Sequence, residues 1–286
     1  MCIRRHLTDS LFFSARPILL QQYPNIDLSS YEDVVPKLQE FVDEFQIFVN
    51  EELNQYAKQY HNVSKHRFSF KQEMIAKSGF WVAKKRYALW IINENGLRKD
   101  ELLVKGIDVV RSNFAQIFRE FMTSVLKSIL DNISKADLDA NIDTFKRKLA
   151  DVDLATLAKP TSVKNLDSWY TSSFTKFKLR TPAHVKAAIN YNNLMEHLQC
   201  GNEFSPIMDR GKIKWVYLRN NPYGIKVLAF KGYDDPEPII QFIRTYIDYE
   251  KIFEANLTKK LEKFYSALNW SLKPTNQIAN KFFNFT

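Results

Sequence analysis

Glycine is scarce in this sequence, 7 residues in 286. Neither G-x-G-x-x-G nor G-x-x-x-x-G-K-[ST] occurs, so the usual glycine-rich phosphate loops are excluded. Cysteine is rarer still. Cys2 and Cys200 fit no metal-ligand spacing and no disulfide framework. The opening stretch "MCIRRHLTDSLFFSARPILL" lacks the continuous apolar core of a secretion signal, and no later run is long enough to span a bilayer. These absences predict a soluble, cytoplasmic chain in a reducing compartment, without a membrane partner. There are no internal repeats and no low-complexity tracts.

Hydrophobic residues make up 45% and aromatics 14% of the chain, including 22 Phe and 13 Tyr. That is enough apolar surface to fold a large domain or two ordinary ones, and it excludes a disordered chain. The formal net charge is +9, unevenly placed. Residues 31–60 hold seven acids and two bases, residues 66–111 ten bases and five acids, and residues 171–231 ten bases and three acids. Two separated basic stretches with interleaved aromatics suit a polyanionic partner. A solvated charged surface accounts for the same composition.

Residues 10–20 read as a strand ended by Pro17. Residues 31–60 read as one long helix whose apolar stripe (Leu38, Phe41, Val42, Phe45, Phe48, Val49, Leu53 and Tyr56) is expected to be core. From 67 to 110 the period changes to two, giving three strands, "RFSFKQEMIA", "FWVAKKRYALWII" and "LRKDELLVKGIDVV", with a hairpin turn at "NENG". Beyond Ser112 the period is helical, with Phe114, Ile117, Phe118, Phe121, Val125 and Ile129 on one side and a second helix over 136–149. Residues 150–180 are less regular. A helix starts near Thr181 and Pro182, with Thr181 as its expected cap. "KIKWVYLR" and "GIKVLAF" form a hairpin around "NNPYG", and helix follows from Asp235 to about residue 268. The fold class is α+β with segregated elements.

The stretch "FWVAKKRYALW" raises the sharpest question, because it sets Lys84, Lys85 and Arg86 amid residues that look like core. Read as a continuous strand, it alternates faces, with Lys84 and Arg86 on one side and Lys85 and Tyr87 on the other. Lysine guarding an edge strand explains one such charge; a passing phosphate backbone explains all three. Near the predicted helix at 182, His184 and Lys186 lie where phosphates could approach a helix start. Arg219 and the amides of "NPYG" offer a similar site, against ordinary turn and capping chemistry.

Taken in order, these segments resemble family B DNA polymerases, especially the tailed-bacteriophage branch. "KKRYA" resembles a conserved-type segment of that family, and "KGIDVVRS" (Lys105 to Ser112, including Arg111) matches the K-G-x-[DE]-x-x-x-S stretch that follows it. "TDSLFFS" looks like the end of the family's Y-G-D-T-D-S motif. "TPAHVKAAINYNNLM" and "KWVYLRNNPYGIKVLAF" are similar to two thumb segments. The resemblance covers nearly the whole chain and implies the end of the palm (residues 1–111), a mostly helical thumb (112–271) and a tail (272–286).

The resemblance implies template-directed nucleotidyl transfer with two Mg2+ ions, which need converging carboxylates. It assigns one of these to Asp9, and the primer–template grip to Lys84, Lys85, Arg86, Tyr87, Lys105, Arg111, His184, Lys186 and Arg219. The family pattern has a second Asp at position 7, where this chain has Leu. The nucleotide-binding helix, the remaining catalytic Asp and the exonuclease lie upstream in the family and have no counterpart here. The expectation is therefore the C-terminal subunit of a split polymerase, active with an N-terminal partner chain. The alternative is a non-catalytic DNA-binding or clamp-binding accessory protein derived from a broken polymerase gene. The tail "NKFFNFT" resembles the family's clamp-docking peptide, which assigns Phe282, Phe283 and Phe285 to a sliding clamp. A tail folded back on the thumb is the other reading.

Overall fold

A computed structural model describes residues 11–65, 67, 70–107 and 114–271. The chain divides into two compact units, one reaching Ile107 and the other starting at Asp108.

The first unit is a helix packed on an antiparallel sheet. Its first element is not the expected strand. Phe12 forms a single bridge, and the short helix α1 (Arg16–Gln22) follows with proline in its first turn. Pro17 starts this helix rather than ending a strand, because its fixed φ suits a first turn whose N–H would be unpaired anyway. Helix α2 (Tyr31–His61) is capped by Ser30, whose hydroxyl accepts from the Asp33 amide, and Glu32 and Asp33 sit in its positive first turn.

The α2 stripe is core only in its first half. Leu38 and Val42 join Leu19, Val34, Val35 and Ile75 in a buried cluster, whereas Phe48 and Tyr56 are more than half exposed. Thirty-one helical residues span about 46 Å. Strands of nine or ten residues span about 30 Å, so the helix outruns its sheet.

The sheet is an antiparallel meander of β1 (Met74–Ala83), β2 (Arg86–Glu94) and β3 (Leu97–Lys105). "NENG" turns as expected, with Asn95 and Gly96 at positive φ. The segment expected to be the middle strand is instead divided. Its first part ends β1, Lys84 and Lys85 form a turn, and Arg86 begins β2 opposite Ala83. Charges at a turn tip are hydrated on all sides, so the cost of burying three bases in a sheet never arises.

The second unit carries the helices. α3 (Gln116–Leu130) buries Phe118, Val125 and Ile129 as its period predicts, and its Phe121 stacks on Phe145 of α4 (Lys135–Lys148) at 3.8 Å. The short α5 (Leu154–Leu157) leads into β4 (Lys159–Ser162), a strand not anticipated from sequence. Next come α6 (Leu166–Trp169) and α7 (Ala183–His197), whose residues 187–191 are entirely buried. β5 (Lys212–Tyr217) pairs with both β4 and β6 (Val227–Phe230), and Asn190 of α7 donates to the Val227 carbonyl at 2.9 Å. Three helices, α8 (Glu237–Tyr246), α9 (Tyr249–Phe253) and α10 (Lys259–Ala267), close the unit, with a π-helical turn joining the last two. The Tyr265 hydroxyl donates to Asp139 at 2.6 Å and ties α10 to α4. The architecture is α+β with antiparallel sheets. No helix among the described residues is long and apolar enough to cross a membrane.

Candidate nucleic-acid interface

The β1–β2 turn, the start of β2 and the end of β3 meet at one end of the three-stranded sheet. Lys84 and Lys85 occupy the turn, Arg86 opens β2, and Lys105 closes β3 opposite Tyr87. All four bases are exposed. Antiparallel pairing brings Lys105 here from about twenty positions along the chain, and the result is a strong local positive field.

Backbone contact holds the group together. Gly106 has φ +66°, and a Cβ built on it would lie 2.1 Å from the Lys85 carbonyl oxygen and 3.3 Å from Cγ of Arg86. Only glycine allows β3 to leave the sheet this close to the turn. Lys85 itself sits at φ +61°, the left-handed region that a long side chain seldom enters. "KKRY" and "KG" therefore form a single structural unit, and the sequence separates them.

Tyr87 does not share the surface. Its ring is 8% exposed and packs against Phe12 at 5.4 Å, in a cluster with Leu89 and Ile91. Burial raises the affinity of its phenol for its proton, and Glu73 adds to the effect. The expected alternation of Lys84 with Arg86 against Lys85 with Tyr87 fails because a turn, rather than a strand, carries the two lysines. Tyr87 instead anchors the strand from which the bases project.

In the second unit, His184 and Lys186 lie in the first turns of α7. Thr181 does not cap this helix: its hydroxyl donates to the Lys178 carbonyl at 2.7 Å, and Pro182 takes the cap position. His184 is half-buried, and burial together with nearby Lys159 favours its neutral form. It can hydrogen-bond a phosphate near neutral pH but brings no full charge. Lys186 lies 5.4 Å from the centre of the Phe177 ring. Lys159, on the unanticipated β4, was missed in the sequence because that strand is only four residues long.

Arg219 and "NPYG" are built differently from expectation. Arg219 donates from its backbone to Tyr246 at 2.7 Å and from its guanidinium to Thr245 at 3.2 Å, closing the C-terminal end of α8. The Asn221 side chain accepts from the Ile225 amide, its carbonyl accepts from Gly224, and its own amide donates to Arg219 and Ile225. The Gly224 and Ile225 amides are thus already engaged within the loop, which removes them as an anion cradle. Asp9, Arg111, Phe282, Phe283 and Phe285 lie outside the described residues.

The exposed cluster of Lys84, Lys85, Arg86 and Lys105 at one end of the sheet has the charge that suits a polyanion backbone. Comparison with known proteins makes the class specific. The family described as DNA polymerase family B matches residues 44–268, and the chain belongs to that family. It is 25% identical over 187 residues to the DNA-directed DNA polymerase of Enterobacteria phage T4, an alignment covering 64% of this chain and 20% of that protein. It is 24% identical over 194 residues to the DNA-directed DNA polymerase of Escherichia phage RB69, covering 66% and 21% respectively. The alignments thus span about one fifth of the length of these relatives.

Proposed function

We propose that this chain forms the end of the palm and the thumb of a phage-type family B DNA polymerase, and grips the primer–template duplex in DNA replication. The observation that carries the reading is the sheet-end group of Lys84, Lys85, Arg86 and Lys105, locked by the close approach of Gly106 to the turn. Phosphate neutralisation by such a group positions a duplex without reading its sequence. His184 and Lys186 add contacts in the thumb, and Arg111 would add a further phosphate contact. Arg219 serves by holding α8 against β5.

Nucleotidyl transfer in this family uses magnesium, which takes oxygen ligands. Within the motif beginning at Thr8 this chain supplies Asp9, and Leu7 stands where a second Asp would be. One carboxylate does not hold two ions, so the residues of this motif do not fit a metal pair by themselves. The other carboxylates would come from a polypeptide carrying the preceding part of the polymerase. Phe282, Phe283 and Phe285 would dock a sliding clamp. The work would take place in the cytoplasm, that of the host cell for a phage protein.

The test is primer extension with the chain mixed with that N-terminal polypeptide. Extension that needs both chains and is lost in Asp9→Ala is the expected result. Extension by the N-terminal polypeptide alone, or none with either, removes the catalytic role. Leu7 favours a second reading, a non-catalytic DNA-binding or clamp-binding accessory protein. That reading predicts duplex binding by the chain without extension in any mixture.

A further inference from the structure

Ten non-glycine residues among those described have positive φ. Six are Asn or Asp, whose short side chains tolerate this region. The others are Lys85, Arg180, Gln199 and Arg210. Lys85 belongs to the sheet-end group. Arg180 sits in a comparable place in the second unit. The Thr181 amide donates to the Lys178 carbonyl at 3.2 Å, so residues 178–181 form a tight turn with Leu179 and Arg180 at its tip. Glycine or asparagine normally takes the position of Arg180 in such a turn.

Leu179 is 87% exposed, more than any other large apolar side chain described. The turn that presents it is held firmly. The Thr181 hydroxyl donates to the Lys178 carbonyl, Lys178 Nζ donates to the Ser168 carbonyl, and Asn193 of α7 donates to the Thr171 carbonyl at 2.9 Å. The Ser173 hydroxyl accepts from the amides of Thr175 and Lys176. Lys176, which precedes the turn, and Arg180, which shares its tip with Leu179, are both exposed, and no acid occurs from residue 168 to residue 195. A single exposed leucine is ordinary on a protein surface, but this one is held on a hydrogen-bonded turn with cations beside it. It suits a narrow, anionic cleft with an apolar floor.

We propose that the Lys178–Thr181 turn is a minor-groove wedge: Leu179 enters between base steps of duplex DNA while Lys176 and Arg180 engage the flanking phosphates. The minor groove, about 6 Å wide, admits a single turn tip where a helix would not fit. Inserted leucine partly unstacks a base step, and arginine is drawn to the negative potential of a narrowed groove. The inference rests on the polymerase reading for its ligand and extends it to a specific contact beyond the phosphate grip.

The test uses the full 286-residue chain and a fluorescein-labelled duplex followed by anisotropy through a salt titration, with a second duplex carrying 2-aminopurine to report unstacking. Wild type should bind and raise the 2-aminopurine fluorescence. Leu179→Ala should weaken binding about tenfold with the salt slope unchanged, and abolish the fluorescence rise. Leu179→Met should restore both. Arg180→Gly, which gives the turn its favoured residue, should lower the slope of log K on log salt by about 1. Equal binding and equal fluorescence for wild type and Leu179→Ala overturns the wedge while leaving the polymerase reading in place. Failure of wild type to bind any duplex overturns both.

Discussion

Gly96 and Gly106 both have positive φ, +83° and +66°, but differ in the space around them. A Cβ at Gly96 meets nothing within 4 Å; at Gly106 it meets the Lys85 carbonyl at 2.1 Å. Alanine at either position costs about 1–2 kcal/mol for a left-handed conformation. At Gly106 the turn must also retreat by about 1 Å to restore an ordinary carbon–oxygen contact, and forced overpacking of this kind adds about 1–3 kcal/mol. Gly106→Ala should therefore destabilise the sheet by about 2–5 kcal/mol in total, and Gly96→Ala by about 1–2 kcal/mol.

Amide hydrogen exchange of peptides from β2 measures this within the first unit, independently of the second, and urea titration gives the sum for the chain. Duplex affinity provides a second readout. A retreating turn moves Lys84, Lys85 and Arg86 away from Lys105, so Gly106→Ala should weaken DNA binding under conditions where the chain is still folded. Gly96→Ala, at the other end of the strands, should leave affinity unchanged. Equal destabilisation by the two alanines would mean that the close approach does not exist. A destabilised Gly106→Ala with undiminished DNA affinity would mean that the turn is not part of the interface.

Lys85→Gly should separate charge from conformation at the same turn. It relieves a left-handed lysine at φ +61°, so stability should hold or rise by up to about 1 kcal/mol in urea titration, while the salt slope for duplex binding falls by about 1. His184 provides a pH test in the second unit. Its pKa is lowered in the fold by burial and then by Lys159, so below its ordinary value the unfolded chain binds protons that the folded chain does not. Stability of that unit should be constant in this respect above about pH 6.5 and decline as pH falls below it, until the folded-state pKa is passed. His184→Gln should flatten that part of the profile; an unchanged slope in thermal melts from pH 7 to 5 would remove His184 as its source.

The long elements were legible because period and caps agreed. Ser30 with Glu32 and Asp33 set the start of α2, and the three-and-four spacing of Phe118, Val125 and Ile129 put α3 on its core. The strand pair around "NNPYG" followed from two apolar runs and a turn. Other features escaped, the short helix α1 among them. β4 has four residues, too few for any period to register, and its pairing to β5 is set by distant sequence. The uncovered half of α2 has the same stripe as the covered half, and the sequence does not record that the sheet is shorter than the helix.

The turn at Lys84 and Lys85 was missed for a more instructive reason. Turns announce themselves through Gly, Asn, Asp and Pro, which supply the required backbone angles at little cost. With 7 glycines in the chain, other residues occupy left-handed positions, and at Lys85, Arg180 and Arg210 they are long bases. A base there costs conformational energy that glycine would avoid, and strain of that kind points to a requirement the fold itself does not impose. Lys85 and Arg180 sit at exposed tips, one beside Lys84, Arg86 and Lys105 and the other beside Lys176 and Leu179. The polyanionic partner proposed above would supply the requirement at both, because it rewards positive charge held at the apex of a rigid turn. If Lys85→Gly and Arg180→Gly each stabilise the chain and each reduce the salt slope, conformational cost and binding gain are linked at both tips. Stabilisation without loss of slope at either tip would break the link there and leave its strain without a function.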